Sequence, residues 1–411
     1  MEAAVERSDV IIAGAGTSGL ALAAALADAL GPEARVMLLE RGEPGGAPDD
    51  PRAFALSAGS KHMLEVLGVW RAVAEHAQPV TAVDITDSSL EDAFRPVLVS
   101  YDNRVAGGEP ATFILETRRL NRALAEAVAA RPSIARLWGA AVEGFAADEH
   151  GAAVAIAGGR TLRATLAVAA DGRSSRLREA AGIRVVRWSY DQVGIVTTVS
   201  HAEPHAGRAV QHFLPAGPFA ILPLPGNRSC VTWTEEAHRA REILALDDAA
   251  FLAEVEKRFG FRLGEIALAG PRASWPLDMH LARAWVASRL ALLGDAAHGV
   301  HPIAGQGLNL GLRDVAALTE VVADAARLGL DIGSLAVLER YERWRRLDSS
   351  ISAATFDALN RLFSNDLTLL RTARDFGLGL IERLPGLKQV LVTEAAGLAG
   401  EVPKLLRGEP V

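Results

Sequence analysis

The chain has 411 residues, half of them hydrophobic and 23% charged, with a formal net charge of -7. That length supports two or three folding units around a large core, and the acidic balance argues against nucleic acid, whose phosphates need a basic face. One cysteine, Cys230, excludes an intramolecular disulfide and a cysteine-built metal site; Met1 to Arg7 lacks the apolar stretch of a secretory leader and no apolar run reaches the roughly 18 residues of a spanning helix, so a cytoplasmic chain is expected.

Val10 to Ala13 reads as a short buried strand and Ser18 to Leu30 as a helix, stopped by Gly31-Pro32. Arg35 to Leu39 reads as a second strand ending at Glu40. The joint between the first strand and the helix is Gly14-Ala15-Gly16-Thr17-Ser18-Gly19. In such a turn the first glycine allows the bend, the second lets backbone approach a pyrophosphate, and the third lets helix pack on strand. The helix N-terminus offers free N–H groups to the phosphates. Glu40 stands where an acid can hold a ribose hydroxyl pair, although strand ends are often acidic for solubility alone.

Farther on, Lys61 to Leu67 and Thr117 to Ala130 read as helices. Arg52, in a loop before the first of these, suits a pyrophosphate and equally suits a solvated surface. Val142 to Phe145, Ala152 to Ala157 and Thr161 to Ala169 read as strands that lead into Asp171-Gly172-Arg173-Ser174-Ser175-Arg176-Leu177-Arg178. That segment places a carboxylate and an arginine beside a nucleotide, or else Asp171 or Ser174 caps a helix. Val193 to Val199, Ala209 to Leu214, Phe219 to Leu224 and Ser229 to Trp233 read as neighbouring strands of an antiparallel sheet, with one helix, Asp247 to Phe259, upon it. Ala291 to Leu293 is another buried strand; Gly307 to Leu328 and Leu335 to Arg346 are helices. Between Phe376 and Leu391 an apolar set suits a membrane surface, an apolar tunnel or plain packing.

Leu293-Gly294-Asp295-Ala296-Ala297-His298, followed by Pro302-Ile303-Ala304-Gly305-Gln306-Gly307-Leu308-Asn309, ends a strand with a carboxylate and starts a helix. A carboxylate there can bind a ribitol hydroxyl, and a helix N-terminus can stabilise charge on a reduced flavin ring. His298 and His301 lack a nearby third ligand, so no metal is expected. No G-x-S-x-G elbow supports a hydrolase.

These segments resemble the group A, single-component FAD-dependent aromatic monooxygenases typified by p-hydroxybenzoate hydroxylase. Three motifs stand in order: Gly14 to Gly19, Asp171 to Arg178 and Gly294 to Asp314. Asp50 to Ser60, Trp188 to Gln192, Gly217-Pro218, Leu222 to Leu224 and Gly294 to Gly311 are most similar to the ubiquinone-biosynthesis hydroxylases. The resemblance covers nearly the whole chain and implies an α/β fold: a Rossmann-like FAD-binding domain, an inserted antiparallel β-sheet substrate domain and a C-terminal helical region. The expected divisions are 1–182 for the first part of the FAD-binding domain, with an excursion to the substrate domain near 70–115, then 183–288 for the substrate domain, 289–335 for the return and 336–411 for the helical region.

The resemblance also implies roles. Gly14, Gly16 and Gly19 meet the FAD pyrophosphate and Glu40 the adenosine ribose, with Thr17, Ser18 and Arg41 as further cofactor contacts. Arg52, Arg119 and Val142 are further FAD contacts. Asp171 and Gly172 belong to a motif linked to both FAD and NAD(P)H. Asp295 binds ribitol; Pro302, Gly305, Gln306, Gly307, Leu308 and Asn309 face the isoalloxazine. The substrate is expected against Phe213, Leu222 and Pro223. No second GxGxxG follows, which suits a family whose NADH or NADPH has no Rossmann domain of its own. The implied reaction is hydroxylation of an electron-rich ring by a flavin C4a-hydroperoxide formed with O2. The implied substrate is a polyprenylated phenol, with peripheral membrane or complex association allowed. The alternatives are a soluble phenolic substrate, a reductase or oxidase of the same fold, and a non-catalytic FAD-binding partner.

Overall fold

A computed structural model describes residues 7–43, 50–87, 90, 96–300, 307–363 and 385–411. Two sheets dominate it. The first has a parallel centre, in which Leu290–Leu292, Arg160–Ala169, Arg7–Ala13, Val36–Leu39 and Ile134–Leu137 lie side by side in that order. Parallel strands are covered on both faces and so read as continuous apolar runs. Val10 to Ala13, Val36 to Leu39, Leu166 to Ala169 and Leu290 to Leu292 are accordingly all buried. The helices Thr17–Leu30 and Gly307–Arg327 join the same core.

Register fixes where the site must be. Ala13 pairs with Leu39 and with Ala169, and Ala169 pairs with Leu292. These four residues end their strands in one row. Gly14, Glu40, Asp171 and Gly294 therefore leave the sheet along a single edge, at the carboxyl ends of the strands, where open α/β sheets bind ligands.

The second sheet runs through Ala273–Ala282, Val185–His201, Arg228–Glu236, Gly217–Leu224, Arg208–Leu214, Ala82–Asp87 and Val99–Asp102. All its neighbours are antiparallel except Ala82–Asp87 beside Arg208–Leu214, which run parallel. Its strands thus come from residues 82–102 as well as from the later region. One face is covered by two helices, Ala237–Leu244 and Asp248–Phe259, where the sequence reading had one. Beneath the opposite face stands a small sheet of Ala53–Ser57, Thr112–Glu116 and Gln78–Pro79.

Two elements exceed the sequence expectation by eight residues or more. The strand Val185–His201 begins eight residues before Val193. Its first half shows solvent on both sides, with Val186, Arg187, Trp188 and Ser189 all exposed, so the usual alternation is missing. A bulge between Ser189 and Gln192, with Asp191 at a φ of 52°, separates the halves. The helix Leu335–Phe363 continues past Arg346 because the polar run after it is used within the helix. Arg345 Nη2 donates to Ser349 Oγ, and Arg345 pairs with Asp348. Among the described residues no helix is long and apolar enough to cross a membrane.

Candidate active site

The Gly-rich turn separates what the fold requires from what it leaves free. At Gly14, with φ of 105°, a Cβ would lie 2.4 Å from the Ala170 carbonyl oxygen. At Gly19 it would lie 1.9 Å from the Gly14 oxygen. Both glycines are dictated by packing. Gly16 is different: it is exposed, its backbone is extended, and a Cβ there would meet nothing within 4 Å among the described residues. The fold does not need glycine at this position. The space above it is open, and the helix that starts there has neither a side-chain cap nor an acid in its first turn. An uncapped helix end facing open space is an anion cradle.

Glu40 closes one side of the cradle. Its carboxylate accepts from Ala15 N at 2.9 Å and Gly42 N at 3.0 Å, which leaves lone pairs for a hydroxyl pair. Thr17 donates to Asn121 Oδ1 at 2.6 Å, a partner that the sequence reading missed. Ser18 faces the other way, into the packing of the two long helices. A Cβ at Gly311 would lie 2.8 Å from its hydroxyl, and one at Gly294 would lie 3.2 Å away. Arg41 is exposed at the end of the second strand. Val142 begins its strand close by, where Ala140 N donates to the Glu40 carbonyl.

Asp171 uses one oxygen. Oδ2 accepts from Arg176 N and Leu177 N, while Oδ1 is buried without a partner among the described residues. Gly172 follows at a φ of 81°. The helix cap is Ser175, accepting from Arg178 N, rather than Ser174. Arg173 pairs with Asp278 and reaches Asp295 Oδ2 at 3.5 Å.

Asp295 has a half-exposed carboxylate on a turn that is otherwise tightly anchored. Gly294 N donates to Asp314 Oδ2 at 3.1 Å, His280 Nε2 donates to the Asp295 carbonyl at 2.8 Å, and Arg178 Nη1 donates to the Ala296 carbonyl at 2.8 Å. Asp314 is fully buried and also accepts from His298 Nε2 at 2.6 Å and Arg345 Nε at 2.8 Å. Burial opposes its ionisation, but His298 and Arg345 outweigh that and hold its pKa below the usual carboxylate value. Burial holds the His280 pKa down, which keeps the ring neutral with its proton on the donating Nε2. His298, stacked on Trp285 at 4.9 Å, hydrogen-bonds Asp314 within the core.

Other expected contacts are engaged by the protein. Arg52 is paired with Asp50 and lies over the Phe54 and Trp275 rings. Arg119 pairs with Glu116 at 2.8 Å. Asn309 is a tie between elements: its Oδ1 accepts from Ser57 N and Ser60 Oγ, and its Nδ2 donates to the Ala55 carbonyl. Gly307 and Leu308 open the long helix, with Leu308 packed on the main core. Pro302, Gly305 and Gln306 lie outside the described residues, as does His301.

Of the three substrate residues, Phe213 and Leu222 share the sheet face turned away from the two covering helices. Pro223 does not. Side chains alternate along a strand, so Pro223 points to the same side as Ile221, under the helices. A cleft of about 360 Å³ opens at the end of that sheet, lined by Tyr190, Asp191, Gln192, Pro215, Ala216 and Glu236. Tyr190 packs on Met279, Val300 and Leu310, which ties the cleft to the segment after the Asp295 turn.

Four features fit FAD: open space over Gly16, an uncapped helix end, an unpartnered Asp171 oxygen and an anchored, half-exposed Asp295. Residues 7–349 match the family described as FAD binding domain. Ubiquinone hydroxylase UbiL of Rhodospirillum rubrum is 41% identical over 410 residues, covering 98% of this chain and 94% of that protein. The chain belongs to the FAD-dependent aromatic monooxygenases. Within this family the 3-demethoxyubiquinol 3-hydroxylase of Escherichia coli is 34% identical, with 95% of this chain and 99% of that one covered. The fold is shared with p-nitrophenol 4-monooxygenase PnpA from Pseudomonas putida, at a TM-score of 0.78, 20% identity and coverage of 97% and 100%. The monooxygenase is therefore a flavoenzyme that acts on a small aromatic molecule with O2 and a nicotinamide reductant.

Two outcomes follow for this flavoenzyme. Gly16→Val should leave the melting temperature of the apoprotein unchanged and lower FAD affinity at least tenfold, read by flavin fluorescence quenching; unchanged affinity would contradict the cradle. Asp314→Asn leaves the buried Arg345 short of its counter-charge and should cost about 3–5 kcal/mol of stability. Because the Asp314 pKa is lowered in the fold, its contribution is complete above the unfolded value of about 3.9 and is lost as pH falls through the folded value. Denaturant unfolding across that range should show this acid-side slope in the parent and not in the variant.

Proposed function

We propose that this enzyme hydroxylates the ring of a polyprenylated phenol or quinol in ubiquinone biosynthesis. The observation that carries this reading is the likeness to a ubiquinone hydroxylase along almost the entire length of both chains. The net reaction joins ring C–H, O2, NAD(P)H and a proton to give ring C–OH, water and NAD(P)+. When bound, FAD supplies the redox chemistry: it links nicotinamide oxidation to oxygen activation.

The chain's own residues do the rest. Backbone N–H groups at the uncapped helix end take the pyrophosphate above Gly16. Glu40 takes the ribose hydroxyls and Asp295 a ribitol hydroxyl, while Asp314, His280 and Arg178 keep the Asp295 turn in place. Asp171 lends its free oxygen to the same edge. Gly307 to Asn309 set a helix N-terminus toward the ring end, where it favours negative charge. Phe213 and Leu222 give the aromatic substrate an apolar wall that excludes water from the reacting atoms. Exposed Leu347, Ile351 and Val390 support a peripheral contact with the membrane that holds a prenylated substrate; Phe376 to Leu384 of the apolar C-terminal set lie outside the described residues.

Purified FAD-loaded enzyme given NAD(P)H, a polyprenylphenol and 18O2 should yield a product heavier by one labelled oxygen, with stimulated nicotinamide oxidation. Stimulated oxidation without label would favour a reductase or oxidase; label only in soluble phenols would move the substrate class.

A further inference from the structure

The face of the second sheet turned away from the two covering helices carries a polar group that the described residues leave unused. Along Arg208–Leu214, Val210 and Leu214 pack beneath the covering helices, so Ala209, Gln211 and Phe213 point to the opposite face. Strand register sets Gln211 in a row with Ile85 on one side and Ala220, Thr232 and Val196 on the other. Ala209 belongs to one apolar cluster, with Leu222 and Trp275, and Phe213 to another, with Val99 and Ile85. Gln211 lies between them, beside the small Ala220. Its Nε2 is buried and has no hydrogen-bond partner among the described residues.

A buried donor without an acceptor weakens a fold, and a leucine of similar size would pack there without that cost. An apolar wall with one convergent polar group is how proteins orient small ligands. We propose that Gln211 is a specificity-determining residue whose side-chain amide hydrogen-bonds a ring oxygen of the substrate. The inference rests on the hydroxylase reading above. Fixing one ring oxygen against the sheet fixes which ring carbon is presented for hydroxylation. The two flanking clusters hold the ring and the start of the tail. The Thr232 and Ala220 positions keep the adjoining surface low enough for a flat ring to lie on it.

The test is Gln211→Leu, with Gln211→Met beside it, in the FAD-loaded enzyme. The probes are a short-chain prenylphenol as substrate and the matching prenylbenzene, which lacks the oxygen, as competitor. Melting temperature and FAD content should equal or exceed those of the parent. KM for the phenol should rise tenfold or more, product per nicotinamide oxidised should fall, and the preference for phenol over prenylbenzene should disappear. Unchanged KM and preference in folded variants would overturn the assignment and leave the hydroxylase reading standing. Loss of melting temperature or FAD in both variants would overturn it too, because the amide would then serve the fold. A parent enzyme that labels no phenol under 18O2 would overturn the hydroxylase reading and this assignment with it.

Discussion

Everything at the site depends on how closely the first helix and the helix Gly307–Arg327 approach each other. Ser18 sits between Gly294 and Gly311, and a Cβ on either glycine would press on its hydroxyl. That contact brings the Gly-rich turn against the Gly-Asp turn, although the two stand at opposite ends of the first sheet's sequence. Close helix approach through small residues is a packing solution with a functional consequence. One elongated cofactor can be gripped at its phosphates and at its ring end by a single rigid body.

The second constraint is electrostatic. A carboxylate fully removed from water is unfavourable unless it is paired and hydrogen-bonded. Asp314 meets that condition through His298, Arg345 and the Gly294 N–H. The network lies one layer beneath Asp295 and touches its turn directly. Residues that secure the core thus also fix the carboxylate that faces outward. His280 and Arg178 do the same from the second sheet and the second motif, by donating to consecutive carbonyls of that turn. Three distant parts of the chain converge on three adjacent residues.

Much of this was legible in the sequence. The apolar runs before Gly14 and Gly294 announce parallel strands because such strands are buried on both sides. The three motifs fall on one sheet edge, as ligand-binding turns of an open α/β sheet should. The failures have physical causes. Pro223 and Leu222 are adjacent in sequence but lie on opposite faces of their strand, an alternation that adjacency hides. The side chain of Asn309 ties the long helix to Ala55, Ser57 and Ser60, partners far away in sequence that no local pattern reveals. The exposed first half of Val185–His201 carries no periodic signal at all. No motif marks Gln211; the register of five strands sets it on an apolar face, with its amide nitrogen unpartnered among the described residues.

The central claim is that one flavin spans the two turns, and the most direct test is FAD binding by Asp295→Ala. Apoprotein of the parent and the variant would be titrated with FAD and followed by flavin fluorescence. The account predicts a variant with the parent's melting temperature as apoprotein and an FAD affinity lower by tenfold or more. An unchanged affinity would contradict it, because the Gly-Asp turn would then have no part in holding the cofactor.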